Sequence, residues 1–326
     1  MKKRTLSIIL AAATIIGTMQ AGIGTVWAAD KKEDYTVGMT LNLGNLTWAE
    51  LAEAAKSHGD ELGMTVTVQN SNDDATTQVS QIENFIQAKV DAIIVAAVES
   101  NSVEDVCKEA QEAGIKVIAY TQVIENSDSE YLVDAYNTGY ACGESAAKWI
   151  KETYGDEKVE WALQDLPKYP EIIDRANGIK DAIEELAPNA ELVATQPAEV
   201  MEDGQKNAEN FMQSHPDIKV ICSIGSGGGA GANEGVKSYI SEDEYDTFGI
   251  FGIDATEQEI MNIINGDPQK SSVSLGGGAA HGRTLIDIAE KFRNGEEQEK
   301  EQYMPITVID SSNAQEYYDE QYGDKK

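Results

Sequence analysis

Residues 91–98 read D-A-I-I-V-A-A-V, an apolar run with no alternation. A strand with one wet face alternates polar and apolar residues, so this run suits a strand covered on both sides, as in a parallel sheet flanked by helices. Comparable runs recur along the chain, each followed by a segment of helical spacing. The pattern predicts strands over 35–41, 64–69, 92–97, 116–120, 158–163, 191–195, 218–223, 247–253, 271–275 and 303–309. Helices are predicted over 48–62, 75–88, 103–113, 139–154, 172–186, 202–214, 231–240, 257–265 and 279–292. A polar, acidic pause covers 122–130 and continues through 131–134. Repeated β-α-β units with right-handed crossovers give an α/β, doubly wound architecture. So many strands crowd a single sheet, so two lobes are expected.

The punctuation fits. Asn72-Asp73-Asp74 and Glu202-Asp203 put carboxylates at predicted helix starts, where the positive end of the dipole favours them. Gly63 and Gly114 follow helices, where glycine enters the left-handed region at little cost.

The first 28 residues belong to no lobe. Met1–Arg4 is a positive segment, 6–16 is apolar, and Val26-Trp27-Ala28 offers small residues for cleavage after Ala28. That is a signal peptide by pattern, so an exported protein without a spanning helix is expected. Without Lys2, Lys3 and Arg4, 22 basic residues stand against 57 acidic ones, a formal charge of −35. Such a surface repels phosphate backbones and anionic membranes, which argues against nucleic acid as a partner. Cys107, Cys142 and Cys222 are odd in number and widely spaced, so buried free thiols are expected in place of a disulfide framework or metal cluster.

In such sheets ligands bind beyond the C-terminal ends of the strands. The residues there are Asn42, Asn45 and Trp48; Thr121 and Gln122; Gln164, Asp165 and Tyr169; Gly225 and Ser226; Asp254; and Ser274 near a crossover. Trp48 could stack on a sugar ring or pack as helix core. Asp254 begins a stretch resembling a capping box, with Thr256 and Glu259 as a further capping pair, so it either caps a helix or meets a ligand. Arg175 either reaches the cleft or pairs with a surface carboxylate. Gly225–Ala230 fits G-x-G-x-x-A after a strand, the one feature that speaks for an enzyme. No nucleophile elbow or metal-ligand spacing accompanies it, and no metal or cofactor is expected.

Taken together, the stretches 35–48 (Y-T-V-G-M-T-L-N-L-G-N-L-T-W), V-D-A-I-I-V, A-G-I-K-V-I, T-Q-P-A, H-P-D-I-K-V and F-G-I-D resemble the type I periplasmic solute-binding proteins of sugar ABC transporters, the ribose-binding branch in particular. The resemblance covers about residues 35–310 and implies two Rossmann-like lobes with parallel sheets, joined by a three-crossing hinge. The implied lobes are 35–136 plus 276–304 and 137–275 plus 305–326, with crossings near 135–137, 274–276 and 304–307. It implies a sugar or sugar-like ligand held in the interlobe cleft, an ABC permease as partner, and a monomer. A ligand sensor feeding a chemoreceptor or sensor kinase is the alternative.

In the family, the aspartate of F-G-x-D accepts hydrogen bonds from sugar hydroxyls, which falls on Asp254. Trp48 falls at a ring-stacking aromatic, Asn45 at a ligand-binding asparagine, and Asn42 near an upstream polar contact. The departures are Thr121-Gln122 for an Asp-Arg pair, Ile173 for an arginine close to Arg175, Gly225 or Ser226 for an asparagine, and Gly276 for a hinge glutamine. Lost charge and volume at these positions imply a wider cleft. It would suit a disaccharide, a substituted sugar or cyclitol, or a nucleoside-like molecule. The amides of 225–229 at a helix start could hold an anionic group.

Overall fold

The computed structural model describes residues 34–44, 46–167 and 173–323. Residues 1–28, read from sequence as a signal peptide, lie outside them, as do Asn45 and Tyr169.

The first half builds one sheet. β1 (Tyr35–Leu41), β2 (Met64–Asn70), β3 (Ala92–Val95), β4 (Lys116–Thr121) and β5 (Ser129–Leu132) alternate with α1 (Leu46–Glu61), α2 (Ala75–Ala88) and α3 (Ser100–Glu112). The second half builds another. Here β6 (Val159–Asp165), β7 (Ala190–Pro197), β8 (Ile218–Ser223), β9 (Gly249–Ile253) and β10 (Gln269–Ser274) alternate with α4 (Ala135–Tyr154), α5 (Ile173–Leu186), α6 (Met201–Ser214), α7 (Ser226–Lys237) and α8 (Glu257–Ile264). After α9 (Gly278–Arg293), β11 (Glu301–Tyr303) and β12 (Thr307–Asp310), the chain ends in α10 (Ala314–Gln321).

The strand orders are β11-β5-β4-β3-β1-β2 and β12-β10-β9-β8-β6-β7. Every pairing is parallel except β10 with β12. The two-lobed α/β architecture is therefore present. The chain passes between the sheets at 133–134, 275–277 and 304–306. The first passage precedes 135–137, which is already the opening turn of α4, capped by Asp134 through the Asn137 N–H at 3.0 Å.

β3 is buried along its whole length. Ile93 and Ile94 face opposite sides of the first sheet, in separate apolar clusters. Burying each removes about 1.5–3 kcal/mol of apolar exposure. The second sheet is likewise covered on both faces. Asp74 caps α2 by accepting from the Thr77 N–H at 2.6 Å. Gly63 and Gly114 take φ of +67° and +84°. All three cysteines are buried and free.

Four predicted boundaries need correction. β5 replaces part of the acidic pause. Its Ser129 and Glu130 are fully buried, and the Glu130 carboxylate accepts from the Ser127 hydroxyl at 3.0 Å and stands 3.5 Å from Lys300 Nζ. A four-residue strand, two of whose residues are polar, is too short to show an apolar run. The expected strand at 303–309 is two short strands on different sheets, separated by the last crossing. α10 carries a helix beyond the last predicted element.

The fourth correction concerns Gly225–Ala230, which is not a loop. Gly225 caps α7, and Ser226 onward is helix. A Cβ on Gly231 would lie 2.2 Å from the Met201 carbonyl oxygen, and one on Gly204 of α6 would lie 2.4 Å from that of Gly227. These glycines let α6 and α7 touch backbone to backbone. They pack helices and cradle no dinucleotide. Among the described residues, no helix is long and apolar enough to cross a membrane.

Candidate functional site

The C-terminal ends of β4, β9 and β10 face a cleft of about 480 Å³ between the sheets. Three of the turns there hold left-handed backbone: Thr121 (φ +66°), Asp254 and Ala255 (φ +101° and +45°), and Gly276 (φ +96°). Only the last is glycine. Such conformations cost on the order of 1–3 kcal/mol each at other residues and persist where surrounding bonds fix them. At Asp254 the bonds come from β10. The Asp254 N–H donates to the Val273 carbonyl at 2.8 Å, and the Ala255 N–H donates to the Ser272 hydroxyl at 2.9 Å.

This turn aims the Asp254 carboxylate away from its own helix. Oδ2 accepts from the Ser226 N–H at 3.1 Å, and Oδ1 accepts from Arg175 Nη1 at 3.3 Å. Asp254 therefore satisfies the N-terminus of α7, whose cap residue Gly225 has no side chain to do so. α8 has its own cap, because the Thr256 N–H and hydroxyl both donate to Glu259 Oε2 at 3.1 Å. Of the two capping readings, the Thr256–Glu259 pair holds for α8, and Asp254 caps a different helix. The Ser226 N–H, the α7 amide beside the cleft, is thus engaged by the protein's own carboxylate.

Arg175 is buried, not a surface residue. Its Nη1 also donates to the Ile224 carbonyl at 2.9 Å. Asp254 keeps 38% of its side chain exposed, against 9% for Arg175. The carboxylate is thus oriented from behind by a buried cation while part of it still faces the cleft. Glu259, fully buried below, has its pKa pushed up to about 8 by burial first and by the charge of Asp254 second.

Of the residues marked from sequence, Thr121, Ser226, Asp254 and Gly276 line the cleft together. Gly225 and Arg175 stand directly behind them. Asn42, Gln122 and Trp48 are not among its lining residues. Asn42 accepts from the Gly44 N–H at 2.9 Å and closes the turn after β1. Gln122 accepts from the Ser100 hydroxyl at 3.0 Å. Trp48 is half-buried, packed edge-on against Tyr120 with centroids 6.2 Å apart.

Sequence reading missed the hinge end of the cleft. Tyr120, His281, Tyr317, Gln321 and Tyr322 line it, with Leu275 and Met304. Burial lowers the His281 pKa, which favours the neutral imidazole. Thr47 and Glu50 line the first-lobe side. Among the described lining residues there is no lysine or arginine, and the two acids are Glu50 and Asp254. The charged side chains lining the cleft are thus acidic, and the rest of its wall is hydroxyl, amide, glycine, apolar and ring surface.

Among curated proteins, the chain is similar to the ABC transporter periplasmic-binding protein YphF of Escherichia coli, with 23% identity over 90% of each chain. It is also similar to the ribose import binding protein RbsB of Bacillus subtilis, with 24% identity over 72% of this chain and 78% of the other. Among solved structures, an ABC transporter solute-binding protein from Bacillus halodurans with bound myo-inositol superposes with a TM-score of 0.67 at 22% identity, covering 89% of this chain and 99% of that one. The family described as periplasmic binding protein domain matches residues 37–297. Fold, cleft and match agree, and the chain belongs to the periplasmic binding protein family, whose members are substrate-binding proteins and not enzymes.

Proposed function

We propose that this protein captures a neutral sugar or cyclic polyol in its interlobe cleft and delivers it to an ABC permease, acting as an exported monomer after loss of residues 1–28. The observation that carries the reading is Asp254, a half-exposed carboxylate held in a left-handed turn with Arg175 and Ser226 behind it. A carboxylate so fixed accepts hydrogen bonds from vicinal hydroxyls, each worth roughly 1.5–3 kcal/mol. The named ligands of similar proteins, ribose and myo-inositol, are polyhydroxylated and uncharged. A cleft of about 480 Å³ falls within the range of small-molecule sites. Its lining without lysine or arginine disfavours acids and phosphates.

The crossings at 133–134, 275–277 and 304–306 are the hinge in this reading. Lobes spanning roughly 35–136 plus 276–304, and 137–275 plus 305–326, move about them and close on the ligand.

The test is a thermal-shift series on the protein lacking 1–28, with D-ribose, D-xylose, D-allose and myo-inositol. A ligand at a hundred times its dissociation constant adds about 2.7 kcal/mol, or roughly 5–10 °C in a protein of this size. Asp254→Ala is expected to weaken the best ligand at least about 100-fold, the loss of two charge-assisted bonds. Silence from all four compounds, or an unchanged shift in Asp254→Ala, sinks the reading.

A further inference from the structure

The hinge end of the cleft is closed by a helix that none of the strand ends supplies. α10 follows the last strand, packs on α8, and returns to the cleft with Tyr317, Gln321 and Tyr322 along its wall. Each tyrosine is tied back to the second lobe. The Tyr317 hydroxyl shares a hydrogen bond with the Ser274 hydroxyl at 2.9 Å, and the Tyr322 hydroxyl donates to the Ala255 carbonyl at 2.9 Å. With their hydroxyls engaged by protein, what these residues chiefly offer the cleft is ring surface. His281 is tied in the same way, its Nδ1 standing 3.3 Å from the Tyr131 hydroxyl.

The backbone opposite is bare. Gly276 and Gly277 have no side chains, and a Cβ on Gly276 would come within 3.4 Å of His281 Cε1. A Cβ on Gly277 would come within 2.4 Å of Gln321 Oε1, so that amide lies against the glycine backbone where it lines the cleft. The Gln321 side-chain amide makes no hydrogen bond with any described residue. A half-buried primary amide beside two glycines and three aromatic rings is an unspent donor and acceptor at a site otherwise satisfied internally.

We propose that α10 is the discriminating wall of the ligand site. Gln321 hydrogen-bonds a ring hydroxyl at the hinge end, Tyr322 stacks against the C–H face of the ring, and Tyr317, set at 67° to Tyr322, meets the ring's edge. The ligand class this selects is a neutral cyclic polyol with one apolar ring face turned to the hinge. The assignment rests on the sugar-binding reading above and adds the residues that choose among sugars.

The experiment is calorimetric titration of wild-type, Gln321→Ala and Tyr322→Ala protein, each lacking 1–28, with myo-inositol, D-allose and D-ribose. Gln321→Ala is expected to weaken the best-bound compound at least about tenfold, to change the ratio of affinities among the three, and to leave the unliganded melting temperature within about 2 °C. Tyr322→Ala is expected to cost most for the compound with the most continuous C–H face. Affinities within about twofold of wild type in both variants overturn the assignment. So does an equal loss for all three compounds accompanied by a lowered melting temperature, which marks a structural role. Wild-type protein that binds none of the three overturns the sugar reading itself, and this assignment falls with it.

Discussion

Glu259 sits fully buried at the start of α8, accepting from the Thr256 N–H and hydroxyl and from Gln269 Nε2 at 3.0 Å. Burial and the nearby Asp254 charge raise its pKa from 4.5 to about 8. The folded state therefore holds a proton that the unfolded chain releases near pH 4.5. Its contribution to stability is complete below that pH and is lost as pH rises through 8, by on the order of 3–5 kcal/mol. Glu259→Gln keeps an oxygen for the Thr256 cap and cannot ionise. The urea midpoint of the variant is expected to fall less between pH 5 and 8 than that of wild type; superimposable profiles contradict a protonated Glu259. The capping pair was legible in the sequence, since T-x-x-E places its own partners within one turn. The direction of Asp254 was not. Its partners Arg175 and Ser226 lie 79 and 28 residues away, on elements that only the folded sheet brings together.

At the scale of elements, the strands that read most clearly were those buried on both faces, because continuous apolar runs leave few other options. β5 and β11 were lost for the converse reason, being only four and three residues long and fixed by their neighbours. α7 was misread at its start because glycine lowers helix propensity by about 1 kcal/mol per residue against alanine, so a glycine run reads as loop. Here the local cost is offset by contact with α6 that no larger residue permits. Gly231→Ala gains propensity but sets a methyl group 2.2 Å from the Met201 carbonyl oxygen, which forces the helices apart. Overpacking of this kind costs typically 1–3 kcal/mol, a fall of roughly 2–10 °C in melting temperature. A melting temperature at or above wild type in a thermal scan would mean that helix propensity, not close packing, governs this pair.

The whole molecule carries its charge on both sides of the cleft. The segments 35–136 with 276–304 hold 23 acidic and 8 basic residues, and 137–275 with 305–326 hold 31 and 12. The two lobes were legible from the number of strands and the acidity from a count. That α10 returns to the cleft was not, because its docking depends on where α8 and the second crossing lie in space. Closing the lobes on a ligand brings two negative bodies together, and the work of doing so is part of the measured affinity. That work is screened by salt, with a Debye length of about 30 Å at 0.01 M falling to about 8 Å at 0.15 M. A neutral ligand has no charge to be screened from Asp254 or Glu50, so raising salt across this range relieves only the repulsion between lobes. Its affinity, measured by calorimetry, is expected to rise about two- to threefold. A cationic ligand would be drawn to the same acidic cleft, and screening would weaken it. The sign of the salt dependence thus separates the two ligand classes, and a fall in affinity would exclude the neutral polyol.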